Sequence, residues 1–141
     1  MALYGTIQLA VSIVIAMFTS RIVERIGNRT MITLAMLILM VELFILALAS
    51  NLMSTLAAAT LAGAGWTMTS IGLFGFLAEN TPADTHYTTA FRQTTYLAAA
   101  IGPLIGSTLA EMEISLLIVL LVGAVIQFMA GVLTHYSVRW I

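Results

Sequence analysis

The chain has 141 residues, of which 61% are hydrophobic and 8% charged, and it carries a net charge of −1 and no cysteine. Soluble domains contain about 25% charged residues, so a water-covered surface is excluded and most of this chain is expected to lie in lipid. The charge argues against nucleic acid as a partner. The lack of cysteine excludes disulfides and thiolate metal sites.

The hydropathy pattern predicts an all-α, polytopic membrane bundle of five transmembrane helices in a single domain. Their approximate bounds are 1–19, 30–49, 53–78, 82–110 and 114–136. Each segment reaches the ~20 residues that cross a ~30 Å hydrocarbon core. Such segments must be helical, because backbone polar groups in lipid need internal partners.

The positions of the arginines predict the orientation of these helices. Arg21, Arg25 and Arg29 lie between the first two spans, Arg92 opens the fourth, and Arg139 follows the fifth. If the spans alternate, all five cations lie on one side, which the positive-inside rule identifies as the cytoplasm. We therefore expect an outside N-terminus and a cytoplasmic C-terminus in a cell inner membrane. An outside N-terminus without flanking charge suggests that an upstream helix is missing.

The turn between the first two spans reads Ser-Arg-Ile-Val-Glu-Arg-Ile-Gly-Asn-Arg. It resembles the hydrophilic signature of the major facilitator superfamily, Gly-x-x-x-Asp-Arg-x-Gly-Arg-Arg/Lys. Its glycine, aspartate, arginine, second glycine and final basic positions are held by Ser20, Glu24, Arg25, Gly27 and Arg29, and Asn28 replaces a basic residue. The resemblance implies that this turn is a gating loop. The substitutions make it a degenerate copy of the signature, and facilitators carry such a weaker copy between helices eight and nine. The alternative is a plain positive-inside loop, in which glycine permits the tight turn and the arginines hold it inside.

A second pattern follows the third span. Glu79, Pro82 and His86 resemble the Glu-x-x-Pro-x-x-x-Arg element of facilitators, with histidine in place of arginine. The resemblance implies that Glu79, His86 and Arg92 belong to the gating set. The alternative for His86 is a surface histidine in the first turns of a capped helix.

A third pattern, in the fourth span, suggests a hinge. Gly102, Pro103 and Gly106 resemble the Gly-Pro-x-x-Gly element that facilitators carry in helix five and, more loosely, in helix eleven. Proline removes one helical hydrogen bond and kinks the helix. The element therefore serves either as a hinge or as a packing kink alone.

Polar residues inside the spans are the candidates for a cavity and for ion coupling. Glu42 is the only acid well inside a span, and intramembrane acids are functional candidates; it is interpreted either as a proton site or as a carboxyl paired with a polar group on a neighbouring helix. The candidates for a substrate cavity are Gln8, Trp66, Thr67, Ser70, Gln93, Thr95 and Tyr96. Packing is the alternative for each of them.

Small residues recur at helical spacing and predict close helix contacts. They are Ala58, Ala62, Gly65, Thr69 and Gly72 on the third span, Thr94, Ala98, Gly102, Gly106 and Ala110 on the fourth, and Gly123, Gln127 and Gly131 on the fifth. Packing is the first interpretation of each face, and a substrate path is the alternative. No catalytic group, metal-ligand spacing or phosphate-binding loop is found, so neither an enzyme nor a cofactor is expected.

Taken together, the chain resembles helices eight to twelve of a major facilitator, that is, a C-terminal portion. The resemblance implies transport of a small solute by alternating access, with a missing N-terminal half as partner in the bilayer. Two alternatives remain open. One is a small self-associating, proton-coupled multidrug exporter that uses Glu42, and the other is a non-transporting membrane assembly subunit.

Overall fold

The computed structural model describes residues 2–80, 89, 93, 97, 101, 108 and 115–137. Within them lie three helices: α1 is Ala2–Ala47, α2 is Leu52–Asn80 and α3 is Leu116–Ser137. Each helix is long and apolar enough to cross a membrane. The prediction of an all-helical membrane fold is confirmed for this part of the chain, and the helices are those of a multi-pass membrane protein.

The prediction of five separate transmembrane helices is not supported. The first two predicted spans lie within one element, α1, because the charged residues between them remain helical on both sides of a single break. The third span corresponds to α2 and the fifth to α3. The fourth lies mostly outside the described residues.

The break in α1 is at Gly27, whose φ of 76° and ψ of 158° are not helical. This backbone region is essentially restricted to glycine, so the glycine of the turn pattern is required by its conformation. A straight helix would hold Tyr4 and Glu42 about 57 Å apart, yet the Tyr4 hydroxyl donates a 2.7 Å hydrogen bond to Glu42 Oε1. The chain therefore reverses at Gly27, and α1 is a hairpin of a first arm, residues 2–26, and a second arm, residues 28–47.

Helix α2 packs against both arms of α1. A Cβ built on Gly65 would lie 2.7 Å from Leu39 Cγ, and one built on Gly72 would lie 2.9 Å from Ile32 Cγ1. The partner numbers fall as those in α2 rise, so α2 is antiparallel to the second arm. It is parallel to the first arm, because Gly63 lies against the Gln8 carbonyl and Thr67, one turn later, donates to the Ser12 carbonyl at 3.5 Å.

Helix α3 packs against the other side of the second arm. A Cβ on Gly123 would lie 3.3 Å from Leu43 Cδ1, and one on Gly131 would lie 3.1 Å from Met36 Cβ. The two helices are therefore antiparallel. The Gly27 turn and the C-terminal ends of α2 and α3 consequently lie at the same end of the bundle.

The interior of the bundle is made largely of small residues, as the spacing predicts. Every member of the predicted small face of α2 is buried: Ala58, Ala62, Gly65, Thr69 and Gly72. Met31 and Met68 pack in the core between α1 and α2. Outward-facing residues of the first arm, such as Leu9 and Met17, are 67% and 72% exposed, which suits contact with hydrocarbon.

Candidate functional site

The Gly27 turn contacts the last turns of α2 through one buried side chain. Asn28, the residue after the turn glycine, is only 6% exposed. Its Nδ2 donates a 2.8 Å hydrogen bond to Glu79 Oε1. Because Gly75 and Glu79 are four residues apart, they lie on the same face of α2. This face receives the Asn28 amide, and the contact joins two of the three segments that the sequence patterns singled out.

Gly75 makes room for that amide. A Cβ on Gly75 would lie 2.7 Å from both Cγ and Nδ2 of Asn28 and would also meet its Oδ1. No side chain larger than hydrogen fits unless Asn28 moves. Asn28 Oδ1 is buried and meets no donor among the described residues, so the amide is held mainly through its Nδ2 bond to Glu79.

A second contact at the same end is made by Arg29. Its guanidinium carbon lies 5.8 Å from the centroid of the Phe76 ring, which is a cation–π distance worth about 0.5–1 kcal/mol at an exposed site. Asn28 and Arg29, adjacent in the turn, thus hold the last turns of α2 by a hydrogen bond and by a ring contact. The turn therefore contacts α2 through two neighbouring side chains.

The remaining members of the predicted gating set differ in placement. Ser20, Glu24 and Arg25 are exposed, so their side chains are available to solvent, headgroups or a partner. His86 and Arg92 lie outside the described residues, as do the predicted hinge residues Gly102, Pro103 and Gly106. Asn28 and Gly75 were not selected from the sequence as functional residues. The one feature of the sequence that could have pointed to Asn28 is that it replaces a basic residue of the facilitator pattern.

Glu42 is buried at the opposite end of the hairpin. It is 5% exposed and accepts the hydrogen bond from Tyr4 on the other arm. Of the two sequence interpretations, the pairing with a polar side chain is thus observed, although the partner belongs to the other arm of the same hairpin. The proton-site interpretation is compatible with this pairing and stays a prediction.

The cavity candidates on α1 and α2 differ in their surroundings. Thr67 is 7% exposed, and its hydroxyl donates to the Gly63 carbonyl of its own helix at 2.9 Å and to the Ser12 carbonyl of the first arm at 3.5 Å, so it lies in the packed interior. Ser70 donates to the carbonyl of Trp66, whose side chain is 54% exposed. Gln8 lies at the crossing with α2, where its carbonyl would meet a Cβ on Gly63.

The other cavity candidates add little. Gln93 is exposed, and Thr95 and Tyr96 lie outside the described residues. Trp66 and Ser70 therefore remain the cavity candidates on α2 that are not committed to the packed interior.

A groove of about 520 Å³ lies between the second arm and α3. It is lined by Met40, Phe44, Leu121, Ala124, Val125 and Phe128. This lining is apolar, so it offers no side-chain donor or acceptor to a polar solute. The groove contains none of the predicted cavity residues, and its chemistry suits hydrocarbon.

Within the described residues, no group of three or more histidine, aspartate or glutamate side chains could hold a metal ion. No protein-family model, curated protein or solved structure matches the chain.

Proposed function

We propose that this chain is the C-terminal portion of a major facilitator superfamily transporter and forms one wall of a solute cavity in a cell inner membrane. The five-helix arrangement, the outside N-terminus and the cytoplasmic C-terminus belong to this proposal. A partner half supplies the second wall, and a small solute crosses when the two halves rock around a midplane site.

The observation that carries the proposal is the hydrogen bond between Asn28 and Glu79. It joins two sequence patterns that each resemble a facilitator loop element and that lie 51 residues apart. A turn that served only to hold cations inside would need no buried contact with α2. The two alternatives, a small exporter and an assembly subunit, do not require this contact either.

The proposed role of this contact is to hold one end of the bundle closed. Asn28 and Arg29 fasten the turn to the end of α2, and the exposed Arg25 is free to meet the partner half. Alternating access requires that such contacts form in one state and break in the other. Losing the bond to Glu79 should therefore favour the state that is open on the arginine-bearing side.

The chain has no cysteine, so a single introduced thiol can report this opening. We place it at Ser70, a half-buried cavity candidate on α2, and measure its reaction with an impermeant thiol reagent in native membrane vesicles of both orientations, in which the proposed partner half is also present. Adding Glu79→Ala should raise the rate several-fold from the arginine-bearing side and lower it from the other side. The matched control is Ile13→Cys, because Ile13 is 67% exposed on the outer face of the first arm and should not respond.

Equal labelling of the Ser70→Cys thiol with and without Glu79→Ala, from both sides, would contradict the gating role. A response at Ile13→Cys as large as that at Ser70→Cys would indicate general loosening of the bundle rather than a change of access.

A further inference from the structure

The hydrogen bond between Tyr4 and Glu42 places an ionisable group in the apolar bundle. The donor and acceptor oxygens are 2.7 Å apart, and Glu42 is 5% exposed. The first arm carries no charged residue before Arg21, and the second arm has none other than Glu42 after Arg29.

The other two helices also bring no cation to this carboxyl. In α2 the first charged residue is Glu79, at the far end of the bundle, and α3 has no Asp, Glu, Lys or Arg. His135 of α3 lies near the C-terminus of that helix, also at the far end. Tyr4 is therefore the titratable group that faces Glu42 from the described elements.

Among the described residues Glu42 has no cation partner. A carboxylate in hydrocarbon without such a partner is expensive, and the usual response is to bind a proton. One hydrogen bond from a neutral phenol offsets only part of the lost hydration. We propose that Glu42 and Tyr4 form a proton-binding site, with Glu42 as the proton carrier and Tyr4 as the side chain that positions it.

The location of the pair indicates the side from which the proton arrives. Tyr4 is half-buried, and Glu42 is about 8 Å along the helix from Ala47, where α1 ends on the side opposite the Gly27 turn. The Gly27 turn is about 22 Å away along the second arm. The site exchanges protons with water on the side opposite the arginine-bearing turn.

The hydrogen bond between Tyr4 and Glu42 joins the two arms of the hairpin. Protonation of Glu42 weakens this bond and so affects how closely the two arms pack at this end. The use of this proton to drive a solute rests on the proposed transport function, whereas the proton site itself does not.

Dicyclohexylcarbodiimide tests the site directly, because it adds the O–H of a protonated carboxyl across its C=N bond and rearranges to a stable N-acylurea. Mass spectrometry of the labelled protein should locate the adduct on Glu42, and the labelling rate should fall as the pH rises. Tyr4→Phe should raise the rate several-fold, because the carboxyl loses its hydrogen-bond partner. The matched control is Tyr136→Phe, at the other end of the bundle, which should leave the rate unchanged, and Glu42→Gln should abolish the adduct.

Proteoliposomes of one orientation then test the side of access. A pH change on the N-terminal side should alter the labelling of Glu42, and the same change on the arginine-bearing side should not. The proposal is overturned if exposed Glu79 is labelled but Glu42 is not, if Tyr4→Phe has no effect, or if only the arginine-side pH matters. Such a failure would leave the thiol result at Ser70 unaffected, and a negative thiol result would leave the Glu42 adduct unaffected.

Discussion

Replacing Gly75 by alanine isolates the contact on which the proposed gating depends. The new Cβ would lie 2.7 Å from Asn28 Cγ and Nδ2, so the amide must leave its place on α2. Its 2.8 Å hydrogen bond to Glu79 is then lost. The backbone of α2 gains at the same time, because alanine is a better helix former than glycine.

These two effects oppose one another, and their sizes decide the sign. A hydrogen bond to a charged group contributes about 1.5–3 kcal/mol, and the exposure of Glu79 places this bond near the lower value. The helix gain of Gly→Ala is about 0.5–1 kcal/mol. We therefore expect Gly75→Ala to lower the free energy of unfolding by about 0.5–1 kcal/mol.

The sign should reverse when the amide is removed first. In an Asn28→Ala background, the three atoms nearest to the new Cβ are absent, so Gly75→Ala should stabilise the protein by about 0.5–1 kcal/mol. The difference between the two backgrounds, about 1.5 kcal/mol, is the coupling free energy between the two positions.

Equilibrium unfolding by dodecyl sulfate in mixed micelles, followed by helical circular dichroism, measures each free energy. Gly5→Ala is the matched control, because a Cβ on Gly5 meets no atom within 4 Å, and it should behave alike in both backgrounds. Stabilisation by Gly75→Ala in the presence of Asn28, equal to that in its absence, would refute the reasoning.

Two further predictions follow from the packing and from the arginines. Gly63→Leu should prevent the close approach of the first arm to α2, because even a Cβ there would meet the Gln8 carbonyl. The control variant Gly5→Leu should be tolerated. Comparable loss of folded protein in both variants would show that the crossing does not depend on Gly63. In intact cells, an impermeant thiol reagent should label Ser50→Cys but reach Arg25→Cys only after permeabilisation, and the opposite result would invert the proposed orientation.

The turn shows how far the sequence could be used to predict the candidate site. The tight turn at Gly27 was predicted, and the positive φ of that residue confirms it. The importance of Asn28 was not predicted, since its only distinguishing mark was departure from a basic residue. Its amide acquires a role because it meets Gly75, 47 positions later, and a contact between such distant residues depends on how α2 packs against α1.

Glu42 likewise shows which features the sequence predicts and which depend on tertiary packing. The sequence identified Glu42 as the acid inside a span and left open whether it binds a proton or pairs with a polar side chain. The structure supplies Tyr4 as the partner, which no local pattern could select among several polar residues. The pairing requires the chain to reverse at Gly27, so that the two ends of α1 become neighbours.

For the described residues, composition alone was enough to indicate membrane-spanning helices, because lipid offers no partner to an unpaired backbone group. The spacing of small residues determined which faces of α2 and α3 would meet other helices, since close backbone approach is what holds helices together in lipid. Only the tertiary structure decided that the first two apolar spans both continue as helix through the charged residues, so that Gly27 is the single break between them. It also decided which polar atoms meet across the hairpin. Hydrogen-bond partners depend on the register and direction of the packed helices, and a hydropathy pattern contains no information about either.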